Sequence, residues 1–91
     1  MAAMTLYTAE GCSLCERALE VVRGVRDELG FELAVVDIGG VAELETRYRE
    51  LIPVVEIDGE RAFTYFVDEN ALRRACLAVL SAKPREPLAE S

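Results

Sequence analysis

Two cysteines separated by two residues, Cys12 and Cys15, lie between a β-forming segment and a long amphipathic pattern. Residues 4–9 are rich in β-forming side chains, and a Glu-Gly pair after them interrupts regular structure. Apolar residues then recur with the spacing of one buried helix face, at Cys15, Ala18, Leu19, Val22, Val25 and Leu29. The sequence therefore predicts a strand, a loop ending at Cys12, and a helix over residues 13–29.

The first helix leads into a second strand and a weaker helical segment. Gly30 favours the left-handed conformation that ends a helix, and residues 31–38 are predicted to form a largely buried strand. Gly39-Gly40 interrupts that strand, and residues 41–51 show a weaker helical spacing with charges between the apolar positions. Pro53 ends this second helix, because proline disfavours a helical conformation in the residue before it.

The second half of the chain is predicted to form a β-hairpin and a helix. Asp58-Gly59 is a strong hairpin-turn signal between strands at residues 54–57 and 61–66. Residues 68–82 form a helix that Asp68 caps, with an apolar face made by Ala71, Leu72, Ala75, Cys76, Val79 and Leu80. The order βαβαββα predicts an α/β fold in which helices flank a four-stranded mixed sheet.

Composition and charge narrow the class of protein. The chain has 91 residues, 52% of them hydrophobic, which is enough for one domain over residues 1–82. Residues 83–91 have no periodicity and are expected to be a disordered tail. The net charge of −7 argues against nucleic acid or an anionic membrane as a partner. With no signal peptide or membrane span at its start, the chain is expected to be cytoplasmic. It is also expected to be a monomer.

The position of the cysteine pair favours redox chemistry. A reducing cytosol does not maintain structural disulfides, so closely spaced cysteines there point to a reactive site. Unpaired amides and the dipole at a helix N-terminus stabilise a thiolate. Cys12 precedes the first turn and is predicted to be the exposed nucleophile, whereas Cys15 is predicted to be the sheltered thiol that resolves a mixed disulfide. Ser13 and Glu16 match a capping box that also starts the helix at Ser13.

The residues alone leave two other uses of the pair open. One is a metal or iron–sulfur site, although the chain has no histidine and only one further cysteine, Cys76, so that a zinc site would need a second chain. The other is a redox-inactive interaction module on the same fold. Small heavy-metal-binding domains also carry CxxC after their first strand, but they end in a strand, whereas residues 68–82 are predicted to be helical. Cys76 lies on the apolar face of that helix and is predicted to be a buried small side chain.

The chain resembles the glutaredoxin-like proteins of the thioredoxin superfamily over residues 4–82. The similarity rests on Leu6-Tyr7-Thr8, on the motif Cys12-x-Leu14-Cys15-Glu16, and on a proline that opens the third strand. It implies a thioredoxin-like fold of the glutaredoxin type and a thiol–disulfide oxidoreductase that reduces protein or low-molecular-weight disulfides, with an unknown reductant. It also implies that Pro53 is cis and that the backbone of Ile52 binds an extended substrate.

Glutaredoxins hold glutathione with a basic residue before the first cysteine and a Gly-Gly-x-Asp segment before the last helix. Here the residues 9–11 supply no cation, and Tyr65-Phe66-Val67-Asp68 stands where the glycine pair would be. Of these glutathione-binding groups the resemblance therefore carries over only Asp68, as a substrate-binding residue in addition to Ile52 and Pro53. It implies no bound cofactor and no metal, and it weakens the expectation that glutathione is a co-substrate.

Overall fold

The computed structural model describes residues 3–82 of the chain. Seven elements follow in the predicted order: β1 Ala3–Thr8, α1 Ser13–Leu29, β2 Glu32–Asp37, α2 Ala42–Tyr48, β3 Val54–Ile57, β4 Glu60–Thr64 and α3 Glu69–Ala82. None of the helices in this part of the chain is both long and apolar enough to cross a membrane. The predicted domain limit at residue 82 stays a prediction, because the expected tail over residues 83–91 lies outside the described residues.

The four strands form one mixed sheet, as the element order predicts, and the structure places them in the order β2-β1-β3-β4. Strand β1 runs parallel to β2 and antiparallel to β3, and β3 runs antiparallel to β4. The carboxyl ends of β1, β2 and β4 therefore meet the amino end of β3 at one end of the sheet. We call this the cysteine end, because the loop that carries Cys12 follows β1 there.

Apolar cores cover the two faces of the sheet. One core joins β1 and β3 to α1 and α3, and its buried members are Met4, Leu6, Ala18, Val22, Val25, Phe31, Val55, Ile57, Leu72 and Cys76. The other is smaller, and in it Tyr48 of α2 packs with Ile38 and Val54. Alternate residues of a strand point to opposite faces, so Val55 enters the first core and Val54 the second. Cys76 is buried, which confirms the prediction that it is a small side chain of the core.

Strand β2 differs from the largely buried strand that the sequence predicts. It is the edge strand of the sheet, and Val35 at its middle is 44% exposed. An apolar run becomes a fully buried strand only when helices cover both faces of the sheet at that strand. Here the two cores centre on β1 and β3 and leave much of β2 open to solvent.

The turns follow the predictions from glycine and aspartate. Gly30, with φ of 81°, ends α1, and its amide donates a hydrogen bond to the carbonyl of Arg26 at 2.8 Å. Asp58 and Gly59 have φ values of 52° and 85°, the pair of left-handed conformations that a two-residue hairpin turn uses. These turns fix where α1 ends and where β4 begins.

Candidate active site

Cys12 and Cys15 form a disulfide at the N-terminus of α1, with their Cα atoms 5.2 Å apart. Gly11, with φ of 77°, turns the chain from β1 towards the helix in a conformation that favours glycine. Cys12 is the N-cap of α1, and its Sγ accepts a hydrogen bond from the amide of Cys15 at 3.2 Å. The first turn of the helix thus holds the sulfur through a backbone donor.

The cap on α1 is the cysteine sulfur rather than the predicted serine hydroxyl. The helix begins at Ser13 as predicted, but a capping box requires Ser13 to be the non-helical N-cap residue. That position belongs to Cys12, whose carbonyl already accepts the Glu16 amide at 3.1 Å. The predicted capping box therefore does not form.

The two sulfur atoms have different surroundings. Cys15 is buried, with 1% of its surface exposed, and Cys12 is half-buried. An attacking thiolate must reach the disulfide of another molecule, whereas a resolving thiol needs to reach only its neighbour. This difference in burial fits the roles predicted for Cys12 and Cys15.

Pro53 lies at the cysteine end of the sheet, since the pairing of Tyr7 with Val54 brings the chain before β3 beside the chain after β1. The Ile52–Pro53 peptide bond is cis, as the resemblance implies, and Pro53 is buried. The amide of Ile52 donates to the carbonyl of Tyr48 at 3.1 Å. Its carbonyl accepts no hydrogen bond from residues 3–82. The carbonyl is therefore the part of the Ile52 backbone that an extended substrate can use.

Two aromatic residues that sequence reasoning treated only as replaced glycines are prominent at the same end. Tyr65 and Phe66, the aromatic pair, directly follow β4 and are 47% and 71% exposed. The amide of Tyr65 donates to the carbonyls of Pro53 at 3.0 Å and Leu51 at 3.3 Å. The only signal was two adjacent aromatic side chains, which the sequence predicts to lie inside the strand over residues 61–66. In the structure β4 ends at Thr64, because the left-handed backbone of Tyr65 ends the extended conformation.

Asp68 caps α3, as predicted. One oxygen of its carboxylate accepts the amide of Ala71 at 2.9 Å, and its carbonyl accepts the amide of Leu72 at 2.9 Å. The side chain is exposed, and Asp68 follows the aromatic pair by two residues in the chain. Its predicted contact with substrate stays a prediction, and its structural role accounts for an aspartate at this position.

An acidic cleft of about 440 Å³ lies beside the Cys12 loop, where β1 and β2 end. It is lined by Ala9, Glu10, Asp37, Ile38, Gly39, Gly40, Glu45 and Arg49. The carboxylates of Asp37 and Glu45 accept the amides of Gly39 at 2.8 Å and Gly40 at 3.0 Å. With three carboxylates and one guanidinium, the cleft repels anionic ligands.

Two stacked tyrosines, Tyr7 and Tyr48, hold the segment before Pro53 in place. The rings of Tyr7 and Tyr48 lie 4.2 Å apart and 14° from parallel, and the hydroxyl of Tyr48 donates to Glu56 at 3.0 Å. Burial raises the pKa of the Tyr7 phenol, and a hydrogen bond with Tyr48 raises it further. Because the carbonyl of Tyr48 also receives the Ile52 amide, the stack fixes that segment to β1 and β3.

Cys76 is the third cysteine, and it packs in the core with its Sγ 3.8 Å from the sulfur of Met4. Burial raises the pKa of its thiol above the ordinary value. Over residues 3–82, no group of three or more histidine, cysteine, aspartate or glutamate side chains is placed to hold a metal ion.

A family model described as glutaredoxin-like domain (DUF836) matches residues 3–76. The chain belongs to this glutaredoxin-like family. The uncharacterised protein Rv0508 of Mycobacterium tuberculosis is 33% identical to it over 73 residues, which cover 75% of each chain. The X-ray structure of protein XcR50 from X. campestris is 30% identical, with a TM-score of 0.71, over 84% of this chain and 97% of that one.

The glutaredoxin-like chain also shares its fold with more distant proteins. Thioredoxin from Fasciola hepatica is 20% identical, with a TM-score of 0.64, over 85% of this chain and 79% of the thioredoxin. At that identity the likeness concerns the fold alone. It confirms the thioredoxin-like fold that the resemblance implies.

Proposed function

We propose that this glutaredoxin-like protein is a thiol–disulfide oxidoreductase that reduces disulfides by dithiol exchange. The observation that carries the proposal is the placement of the Cys12–Cys15 disulfide at the N-terminus of α1. A backbone amide and the positive end of the helix dipole both face the Cys12 sulfur, and both stabilise a thiolate there.

The reaction proceeds in two exchanges. The Cys12 thiolate attacks one sulfur of the partner's disulfide, that S–S bond breaks, and the other partner sulfur leaves as a thiolate that water protonates. Cys15 then gives up its proton and attacks the Cys12 sulfur, which releases the second partner thiolate and forms the Cys12–Cys15 disulfide. Two electrons pass to the partner, and a thiol reductant must return two electrons for another turnover.

The local structure favours the second exchange as well as the first. Cys15 lies one helical turn from Cys12 on the buried face of α1, so it is kept from outside disulfides yet remains close to the Cys12 sulfur. An intramolecular attack of this kind has a high effective concentration. The mixed disulfide is therefore expected to be short-lived in the native protein.

The test is a redox titration of the purified protein. Samples are equilibrated across a series of dithiol buffers, quenched in acid, alkylated, and measured by intact mass. The wild type and Cys76→Ala should show the same two-electron transition, and Cys12→Ser should lose it. Failure of the wild type to form the Cys12–Cys15 disulfide at any accessible potential would refute the mechanism.

A turnover assay separates an oxidoreductase from a redox-inactive module with an intact disulfide. Reduction of a disulfide-bonded peptide, with dithiothreitol as the electron donor, should depend on Cys12 and proceed through it. Cys15→Ser, reduced and then mixed with the peptide after dithiothreitol is removed, should accumulate the mixed disulfide between Cys12 and the peptide, which intact mass detects. A wild type that titrates normally but gives no turnover would support the module instead.

A further inference from the structure

The aromatic pair, Tyr65 and Phe66, has no part in the two thiol exchanges and is poorly explained by packing within the chain. Most of Phe66 and about half of Tyr65 face solvent. A third apolar side chain, Leu14, is exposed inside the cysteine motif at the same end of the sheet. Single exposed apolar residues are common, but a group of them at a reactive site marks a binding surface.

The backbone holds the aromatic pair in a defined place. Tyr65 has a φ of 68°, a left-handed conformation that is rare for a bulky residue and free of strain for glycine. Its amide donates to the carbonyl of Pro53, and the amide of Phe66 donates to the carbonyl of Thr64 at 2.8 Å. The chain thus keeps a tyrosine where glycine would fit better, and holds it beside the proline at the cysteine end.

The neighbouring backbone fits an extended polypeptide. The carbonyl of Ile52 accepts no hydrogen bond from the described residues, and it directly precedes the proline that Tyr65 contacts. A substrate segment whose sulfur reaches Cys12 can donate an amide to this carbonyl, as an added strand does at a sheet edge. Its side chains next to the reactive cysteine then meet the aromatic pair.

Charge favours a polypeptide over a small acidic disulfide. The cleft on the other side of the Cys12 loop carries three carboxylates and one guanidinium, and the whole chain has a net charge of −7. A small anionic disulfide at Cys12 would meet charge of the same sign, whereas basic flanks of a polypeptide would meet the opposite sign and neutral flanks would avoid the repulsion.

We propose that Tyr65 and Phe66 bind a disulfide-bearing segment of a partner protein that has apolar side chains beside its reactive cysteine and neutral or basic residues further out. This inference rests on the proposed oxidoreductase function and names the substrate class of the same site. The aromatic pair supplies apolar contact area, the Ile52 carbonyl aligns the segment, and the acidic surroundings exclude small anionic disulfides.

The test compares three disulfides as substrates: the symmetrical disulfides of the peptides Lys-Phe-Cys-Phe-Lys and Lys-Gly-Cys-Gly-Lys, and oxidised glutathione. The wild type should reduce the phenylalanine peptide with a kcat/KM about tenfold above that for the glycine peptide, and oxidised glutathione most slowly. The double variant Tyr65→Gly, Phe66→Ala should lose this preference, so that its kcat/KM values for the two peptides become about equal. Leu77→Ala, which removes an exposed leucine from α3, is the matched control and should change neither rate.

A binding measurement keeps the inference separate from the chemistry. The phenylalanine peptide with serine in place of cysteine should bind the oxidised wild type more tightly than the double variant, as fluorescence anisotropy of a labelled peptide would show. Equal binding, an unchanged preference in the double variant, or fastest reduction of oxidised glutathione would overturn the inference. Discriminating binding without turnover would support the docking surface and count against the oxidoreductase.

Discussion

Replacing Tyr65 with glycine and with alanine, in separate variants, measures the cost of its left-handed backbone. Both variants remove the phenol ring, so the difference between their free energies of unfolding isolates the effect of the Cβ atom. At a φ of 68° a Cβ atom costs about 1–2 kcal/mol, while glycine loses about 0.5–1 kcal/mol in additional chain entropy on folding. Tyr65→Gly should therefore be more stable than Tyr65→Ala by about 0.5–1 kcal/mol.

Gly24 provides a control at which alanine, and not glycine, is expected to be the more stabilising residue. Gly24 lies in α1 without a left-handed φ, and a Cβ atom built there meets nothing within 4 Å. Gly24→Ala should therefore raise the free energy of unfolding by about 1 kcal/mol. The assay is urea unfolding of the oxidised proteins, followed by far-UV circular dichroism. If Tyr65→Ala is as stable as Tyr65→Gly, the argument from backbone strain at this residue fails.

Substitutions at three further residues test local interactions by urea unfolding. Asp68→Ala should lose about 0.5–2 kcal/mol with the α3 cap while Asp68→Asn keeps most of it, and equal losses would contradict the cap. Tyr48→Phe should cost about 0.5–1.5 kcal/mol, because it removes the hydrogen bond to Glu56; an unchanged stability would count against that bond. Burial raises the pKa of the Cys76 thiol, so the unfolded chain loses that proton first and stability falls as the pH rises above about 8.5. In Cys76→Ala the free energy of unfolding should not show this decrease, and identical pH profiles for the variant and the wild type would contradict a raised pKa at Cys76.

Local signals were sufficient where a structure depends on neighbouring residues alone. The bounds of α1 follow from its apolar spacing and from Gly30, and the hairpin follows from Asp58-Gly59. The burial of Cys15 follows from its place on the apolar face of the helix. The same periodicity separates an outer from an inner cysteine, so the asymmetry of the site was predictable from the sequence.

The remaining features depend on contacts between distant segments. The exposure of β2 is set by its position at the sheet edge, which its own apolar run does not encode. The hydrogen bond from the Ile52 amide to the Tyr48 carbonyl depends on α2 ending at Tyr48, whereas the sequence predicts a helix that continues to residue 51. The cap by the Cys12 sulfur depends on which of two adjacent residues leaves the helical conformation, a choice that a capping pattern does not resolve.

The edge position of β2 has a practical consequence for handling the protein. One side of this strand has backbone groups that no other described strand pairs with, and its central Leu-Ala-Val-Val run favours β structure. Glu32 and Asp37 at its two ends, with the net charge of −7, keep chains from aligning edge to edge. Lowering the pH towards the isoelectric point of about 4.5 reduces the net charge, so concentrated samples should aggregate near that pH and stay dispersed at neutral pH.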